Sequence, residues 1–281
     1  MKTRQVVRLI LSVCVLLPLA THGAYFSQVM SHNPLLYYRL GESSGPTATD
    51  SSVNAYHGTY FGTNEFAQTG ALLLDSNTAV RFRGDQGPAR VDSPVTTFNP
   101  TAPWTITLWI KPENVGESKG IVSQKDGTGT GRSLIYQSYD GSGSYFASFL
   151  GGSEWGWGGG YISAFGTYLH LALVYNGSGG LQWYTNGLPA ASHSGISAEA
   201  ANGAFVIASF KDNSGPLRGT LDEVAIFQTA LSSGQILDLY NSFDDPPIVP
   251  EPSTVFLLVV GGTLLWQRRR LLGRDESVAG G

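Results

Sequence analysis

A chain of 281 residues with a net charge of −4, 36 glycines and only 14% Asp, Glu, Lys and Arg has many turns and little of the charged surface that amphipathic helices need. Between Tyr25 and Pro252 nineteen acidic residues stand against ten basic ones, a balance that disfavours nucleic acid and anionic membrane as partners and suits cations and neutral glycans. The one cysteine, Cys14, lies in a segment expected to be removed, so the mature chain has neither a disulfide framework nor a thiolate metal site.

At the N-terminus Lys2, Arg4 and Arg8 precede an apolar stretch from Leu9 to Ala20 and then the small residues Gly23 and Ala24. Residues 1–24 read as a signal peptide, cut by signal peptidase near Gly23 or Ala24. Leu11-Ser12-Val13 gives Cys14 no small residue before it, so lipidation is not expected. The stretch 25–243 is long enough for one β domain with its own core.

Period-two alternation dominates that stretch and predicts half-buried strands at Thr105 to Ile110, Tyr145 to Leu150, His170 to Tyr175, Leu181 to Tyr184, Phe205 to Phe210 and Leu221 to Phe227. Turn clusters separate them, and Asn186-Gly187 between two apolar runs predicts a type I′ hairpin, since both central residues need positive φ. One helix is predicted, Ser232 to Asn241, with Ser232 and Gln235 as a capping box and Ile236, Leu239 and Tyr240 as its apolar stripe, packed on a sheet edge. The fold class is all-β, a two-sheet antiparallel sandwich with one short C-terminal helix.

Three segments resemble a laminin-G-like, concanavalin A-like jelly roll. Leu35-Leu36-Tyr37-Tyr38-Arg39-Leu40-Gly41-Glu42, Asp50 to Asn54 and His57 to Tyr60 look like its opening; Trp104 to Pro112 and Tyr168 to Asn176 with Leu181 to Gly187 resemble its first long strand and central hairpin; Leu217 to Phe227 with Ala230-Leu231-Ser232 is similar to its closing strand and helix. The resemblance implies a scaffold shared by lectins, glycan hydrolases, adhesion modules and spacers. Its hydrolases carry Glu, Asp and Glu at alternating strand positions, a triplet this sequence lacks. Glu113 and Glu117 fall in a loop around Gly116, and Asp222 and Glu223, adjacent on a strand, are expected to project to opposite faces. Hence the chain reads as a non-catalytic binding or adhesion module for carbohydrate or matrix. The alternatives are a structural or protein-interaction module and a divergent hydrolase with carboxylates converging from distant segments.

Some relatives in that family bind calcium through acidic residues of the opening turn and closing strand, and the resemblance places Glu42, Asp50, Asn54 and Asp222 at those positions as structural Ca2+ ligands. The competing reading makes Asp50 an Asx-turn residue and Asp222 a backbone partner. Candidate glycan contacts are Trp155, Trp157 and Tyr161, aromatic rings in a glycine-rich stretch, with Glu154 to accept sugar hydroxyls. The three aromatics also share the parity of a strand's core face.

Asp244 to Pro250 cannot continue a helix, and residues 244–253 read as an extended linker. Beyond it come Pro250-Glu251-Pro252, an apolar run from Thr254 to Trp266 and Arg268-Arg269-Arg270, then a polar tail, 275–281. As a helix the 13-residue run covers about 20 Å, a marginal span of a bilayer, and the arginines hold its C-terminal side in the cytoplasm. Residues 254–274 with the Pro-Glu-Pro motif resemble the PEP-CTERM sorting signals of Gram-negative bacteria. That resemblance implies an exosortase-type transpeptidase as processing partner, a membrane-anchored precursor, and a final place at the cell surface or in extracellular matrix and exopolysaccharide.

Overall fold

The computed structural model describes residues 23–124, 132–198, 204–210 and 212–245. Residues 1–22 of the expected signal peptide and the expected sorting motif Pro250, Glu251, Pro252, Arg268, Arg269 and Arg270 lie outside them. In chain order the elements are α1 (Ala24–Ser31), β1 (Leu36–Tyr38), β2 (Thr47–Ala48), β3 (Gly58–Gly62), β4 (Asn64–Thr69), β5 (Thr78–Arg83), β6 (Ala89–Asp92), β7 (Trp104–Pro112) and β8 (Lys119–Gln124). They continue with β9 (Arg132–Tyr139), β10 (Ser144–Leu150), β11 (Ser153–Gly156), β12 (Leu169–Tyr175), β13 (Leu181–Thr185), β14 (Leu188–His193), β15 (Phe205–Ile207), β16 (Arg218–Phe227) and α2 (Ser233–Asn241).

Two antiparallel sheets form. Sheet A runs β14-β13-β12-β7-β16-β5-β4 with β1 also paired to β16, and sheet B runs β11-β10-β9-β8-β15-β6-β3-β2. Strand alternation explains why they stack. From β7, Trp104, Ile106, Leu108 and Ile110 enter the core between the sheets with Leu171, Leu173 and Tyr175 of β12 and Phe146 and Leu150 of β10. Trp109, Ala172, Val174, Ala225 and Phe227, of opposite parity, form a second cluster on the far side of sheet A with Tyr25 and Val29 of α1 and Ile236 and Leu239 of α2.

The predicted hairpin joins β13 to β14, with Asn186 at φ 49° and Gly187 at φ 78°. Ser232 caps α2 with both bonds of a capping box to Gln235. That helix lies on the outer face of sheet A, where Tyr240 stacks on Trp109, and also meets the edge strand β14 and its hairpin at Gly187, the expected edge packing. α1 is a second helix, not predicted from the sequence pattern; it has no side-chain cap and is held by the burial of Tyr25 and Val29. Among the described residues no helix is long and apolar enough to cross a membrane.

β16 has an unusual edge. Arg218 to Leu221 pair with β5, whereas Val224 to Ile226 pair with β1. At the changeover the register against β7 shifts between Asp222 and Ala225, and Glu223 takes φ 53°. This is a β-bulge, with one extra residue on β16. Leu221 and Val224 both enter the core, so the two residues between them share the opposite face. Asp222 and Glu223 therefore point the same way, not to opposite faces as adjacent strand residues should.

Candidate functional site

Asn77 makes the consequence of the bulge visible, because its amide nitrogen donates to both carboxylates, 3.3 Å to Asp222 and 3.1 Å to Glu223. Glu223 also takes Arg39 Nε at 3.0 Å and Arg39 Nη2 at 2.9 Å, and the Tyr37 hydroxyl. Arg39 Nη2 continues to Asp75 at 2.7 Å. Burial raises the pKa of Asp222 well above its ordinary value, with the charge of Glu223 adding to it, and burial likewise raises that of Glu223. Glycoside hydrolysis uses two neighbouring carboxyl groups, one kept protonated and the other ionised, whereas here burial raises the pKa of both, and both side chains are fully buried beneath α1 and the segment around Ala71, whose amide donates to Asp222 at 2.7 Å.

Of the four residues expected to hold calcium, Glu42, Asp50 and Asp222 have their carboxylate oxygens engaged by other groups. Asp50 accepts from Tyr37 N at 2.8 Å, Ser52 N at 2.9 Å, Ser52 Oγ at 2.7 Å and Tyr56 N at 2.7 Å. The oxygens of Glu42 accept from Thr49 N at 2.7 Å and Tyr60 Oη at 2.8 Å, and Asn54 donates to Leu35 O at 3.0 Å. Every carboxylate oxygen of Glu42, Asp50 and Asp222 thus faces an N–H or O–H donor, an arrangement that does not fit a calcium ion, which needs six to eight converging oxygens. Among the described residues no three Asp, Glu, His or Cys side chains gather as a metal site.

The glycine-rich stretch divides. Trp157 is buried between the sheets, edge-on to Phe146 at 5.0 Å, with Nε1 donating to Gly160 O at 2.7 Å. Trp155 packs against the same core and donates to Leu150 O at 3.0 Å. Their parity sends both indoles inward. Glu154 has the other parity and stands on the outer face of sheet B, exposed, with Tyr161, which is 51% exposed.

Strand register brings to Glu154 partners that lie far from it in sequence. Tyr145 is paired with Ser138, Ala147 with both Tyr136 and Gly156, and Phe149 with Glu154. Since Phe146 and Leu150 enter the core, Tyr145, Ala147 and Phe149 face outward. Glu154 accepts from Tyr145 Oη at 2.5 Å, from Ser138 Oγ at 3.2 Å and from the Tyr136 hydroxyl. Tyr161 lies 6.4 Å from Tyr145, ring to ring, and donates to Asp140 at 2.8 Å. Backbone N–H groups of Ser142 and Gly143 also hold Asp140, the first at 2.9 Å, and with the Tyr161 hydroxyl they keep its pKa below the usual carboxylate range. Burial and then Glu154 raise the pKa of Tyr136, the hydrogen bond to Glu154 raises that of Tyr145, and the one to Asp140 raises that of Tyr161. All three phenols stay protonated at neutral pH.

The result is a hydrogen-bonded platform: two exposed carboxylates with fixed orientation, three tyrosines, the exposed ring of Phe149 and the hydroxyl of Ser138. Glu154 was legible in the sequence, but Tyr136, Ser138, Asp140 and Tyr145 were not singled out. Polar strand residues beside aromatics at 136–138 and 145 were the available signal.

Among solved structures the fold is similar to domain 4 of AbnA, a GH43 extracellular arabinanase from Geobacillus stearothermophilus in complex with arabinotriose, at 22% identity and TM-score 0.57, covering 74% of this chain and 98% of that one. It is also similar to the receptor-binding domain of botulinum neurotoxin mosaic serotype C/D, at 11% identity and TM-score 0.54, covering 75% of this chain and 51% of that one. Trypanosoma rangeli sialidase in complex with the inhibitor DANA matches at 13% identity and TM-score 0.55, with 75% of this chain and 34% of that one covered. The chain thus spans about half of the toxin domain and a third of the sialidase. These likenesses concern the fold, and no curated protein matches the chain. Residues 83–237 match the profile of the concanavalin A-like lectin/glucanases superfamily, more than half of the sequence, and the two-sheet sandwich agrees, so the chain belongs to that superfamily.

Proposed function

We propose that this domain is a non-catalytic carbohydrate-binding module, exported and sorted by its PEP-CTERM-type tail to the cell surface or matrix of a Gram-negative bacterium. The observation that carries this reading is the Glu154 platform on sheet B, on the face opposite the core, while both described helices lie on sheet A. Carboxylates already oriented by tyrosine hydroxyls accept sugar hydroxyls without further ordering, and exposed aromatic rings stack on the apolar faces of sugars. Neutral glycans suit the acidic surface. The arabinotriose on the arabinanase domain is in keeping with this ligand class.

The hydrolase alternative is disfavoured because the paired carboxylates Asp222 and Glu223 are sealed under α1. A glycan-array screen of the exported protein tests the proposal. Binding to neutral oligosaccharides that Tyr161→Ala and Glu154→Gln each reduce at least about tenfold, about 1.4 kcal/mol, supports it. Silence from a folded protein, or binding that both variants leave unchanged, overturns it and favours a protein-interaction role.

A further inference from the structure

We propose that the amino group created by signal-peptide removal is a working part of the fold: cut between Gly23 and Ala24, the chain seats its new α-ammonium on Asp75, beside the Arg39–Glu223 ion pair. The inference rests on the signal-peptide reading and is independent of any sugar-binding role.

Four observations converge. The first is proximity. Gly23 is the residue before α1, and a Cβ built on it would lie 2.2 Å from Asp75 Oδ2. The backbone is therefore against that carboxylate, and loss of Gly23 opens room there for a cationic nitrogen. The second is charge. Asp75 and Glu223 share one guanidinium, Arg39, and the neighbouring Tyr37, Tyr25 and His170 bring no cation at neutral pH. Burial and Glu223 raise the pKa of Tyr37 well above its usual value, burial raises that of Tyr25, and burial drops that of His170 to about 3. Asp75 is only 10% exposed. A second cation offsets a charge imbalance in a partly desolvated place.

Position is the third. The residue after the cut is not a fraying end, since Tyr25 is 1% and Val29 0% exposed, and Tyr25 Oη meets His170 Nε2 at 3.4 Å. The ammonium is held where the helix places it, at little further cost in entropy. An ammonium at a helix N-terminus opposes the macrodipole by about 0.3–1 kcal/mol, and a carboxylate such as Asp75 beside it offsets that cost. The fourth is the cleavage pattern. Thr21-His22-Gly23 gives small residues at the two recognition positions for a cut after Gly23, whereas a cut after Ala24 puts His22 at one of them.

The test uses the full chain, exported through its own leader in a Gram-negative host. N-terminal sequencing gives the first residue, and mass spectrometry times acylation of the α-amine at pH 7 in folded and urea-unfolded protein. We expect Ala24 first and a folded amine reacting at least about tenfold slower, equivalent to a pKa raised by about one unit. In folded Asp75→Asn that protection is expected to be lost. A different first residue, an amine as reactive folded as unfolded, or full protection in Asp75→Asn overturns the proposal. Should that variant not fold, the wild-type protein decides: a paired amine titrates above the usual ~7.7–8.0, and one that titrates within or below that range refutes the pairing.

Discussion

Replacing Asp50 by alanine removes one carboxylate and four hydrogen bonds. Its two oxygens accept from three backbone amides, Tyr37, Ser52 and Tyr56, and from the Ser52 hydroxyl, all between 2.7 and 2.9 Å. Tyr37 is fully buried, so its amide cannot turn to water, and Tyr56 and Ser52 lie in the turn that Asp50 organises. An orphaned buried donor costs about 1–3 kcal/mol. Counting the Tyr37 amide in full and the turn donors as partly rehydrated gives a loss of about 3–5 kcal/mol, a large share of the ~5–15 kcal/mol of a typical domain. For a domain of this size that lowers Tm by about 10 °C. Asp50→Asn keeps an acceptor for Tyr37 and Ser52 but turns an NH2 toward the Tyr56 amide, and should cost about half as much. Chemical denaturation of the wild type and both variants, each with calcium and with EDTA, measures these differences. Equal losses in the two variants, or a loss under about 1 kcal/mol in Asp50→Ala, would refute the hydrogen-bond account. A wild-type loss in EDTA that matches Asp50→Ala would show a metal ligand in place of a turn organiser.

His170 is fully buried and its pKa is pushed down to about 3, so the unfolded chain takes up a proton below pH 6.5 that the native chain refuses. Its contribution is complete above that pH and falls by about 1.4 kcal/mol per unit below it, and His170→Gln should flatten that limb of a stability–pH curve. Asp222 works in the opposite sense: with its pKa raised by burial, its contribution is full below about pH 4 and declines as the pH rises, so Asp222→Asn should gain stability toward neutral pH relative to wild type. Tyr25→Ala should cost about 3–5 kcal/mol as an emptied aromatic site, and Tyr25→Phe about 1 kcal/mol or less, both read by thermal melting. Gly187→Ala places a methyl group at φ 78° and 2.9 Å from Tyr240 Cβ, and a loss of about 2–3 kcal/mol is expected in the same assay.

The sandwich was legible because long strands such as β7 and β12 alternate cleanly, and the Asn186-Gly187 and Ser232-Gln235 signals act within four residues. α1 was not, since Gly23 supplies no side-chain cap and its stability comes from docking Tyr25 and Val29. Its only local clue is two i, i+4 pairs, Tyr25 with Val29 and Phe26 with Met30. The inward turn of Trp155 and Trp157 follows from parity, the competing reading of that stretch. Parity failed at Asp222 and Glu223 because the bulge arises where β16 changes partner, a tertiary event with no local signature. For the same reason Glu154 was found and its ring of hydroxyls was not. Cross-strand register, absent from local pattern, joins Glu154 to Ser138 and Tyr136.

The changeover on β16 also dictates an order of assembly. β7, β5 and β1 all pair with this one strand, and Leu36 meets Ile226 across most of the chain. Sheet A cannot close until Phe227 is available, so a chain emerging from its N-terminus carries Leu36, Tyr37 and Tyr38 without their strand partner until β16 follows, and β7, which can pair earlier with β12, keeps its other edge open as long. So large a loop to close, and so much contact at long sequence separation, makes folding slow relative to helical domains of equal size. It leaves a long interval in which an open strand edge invites pairing with another copy. Truncation before Phe227 should therefore give an aggregating chain and not a smaller sandwich.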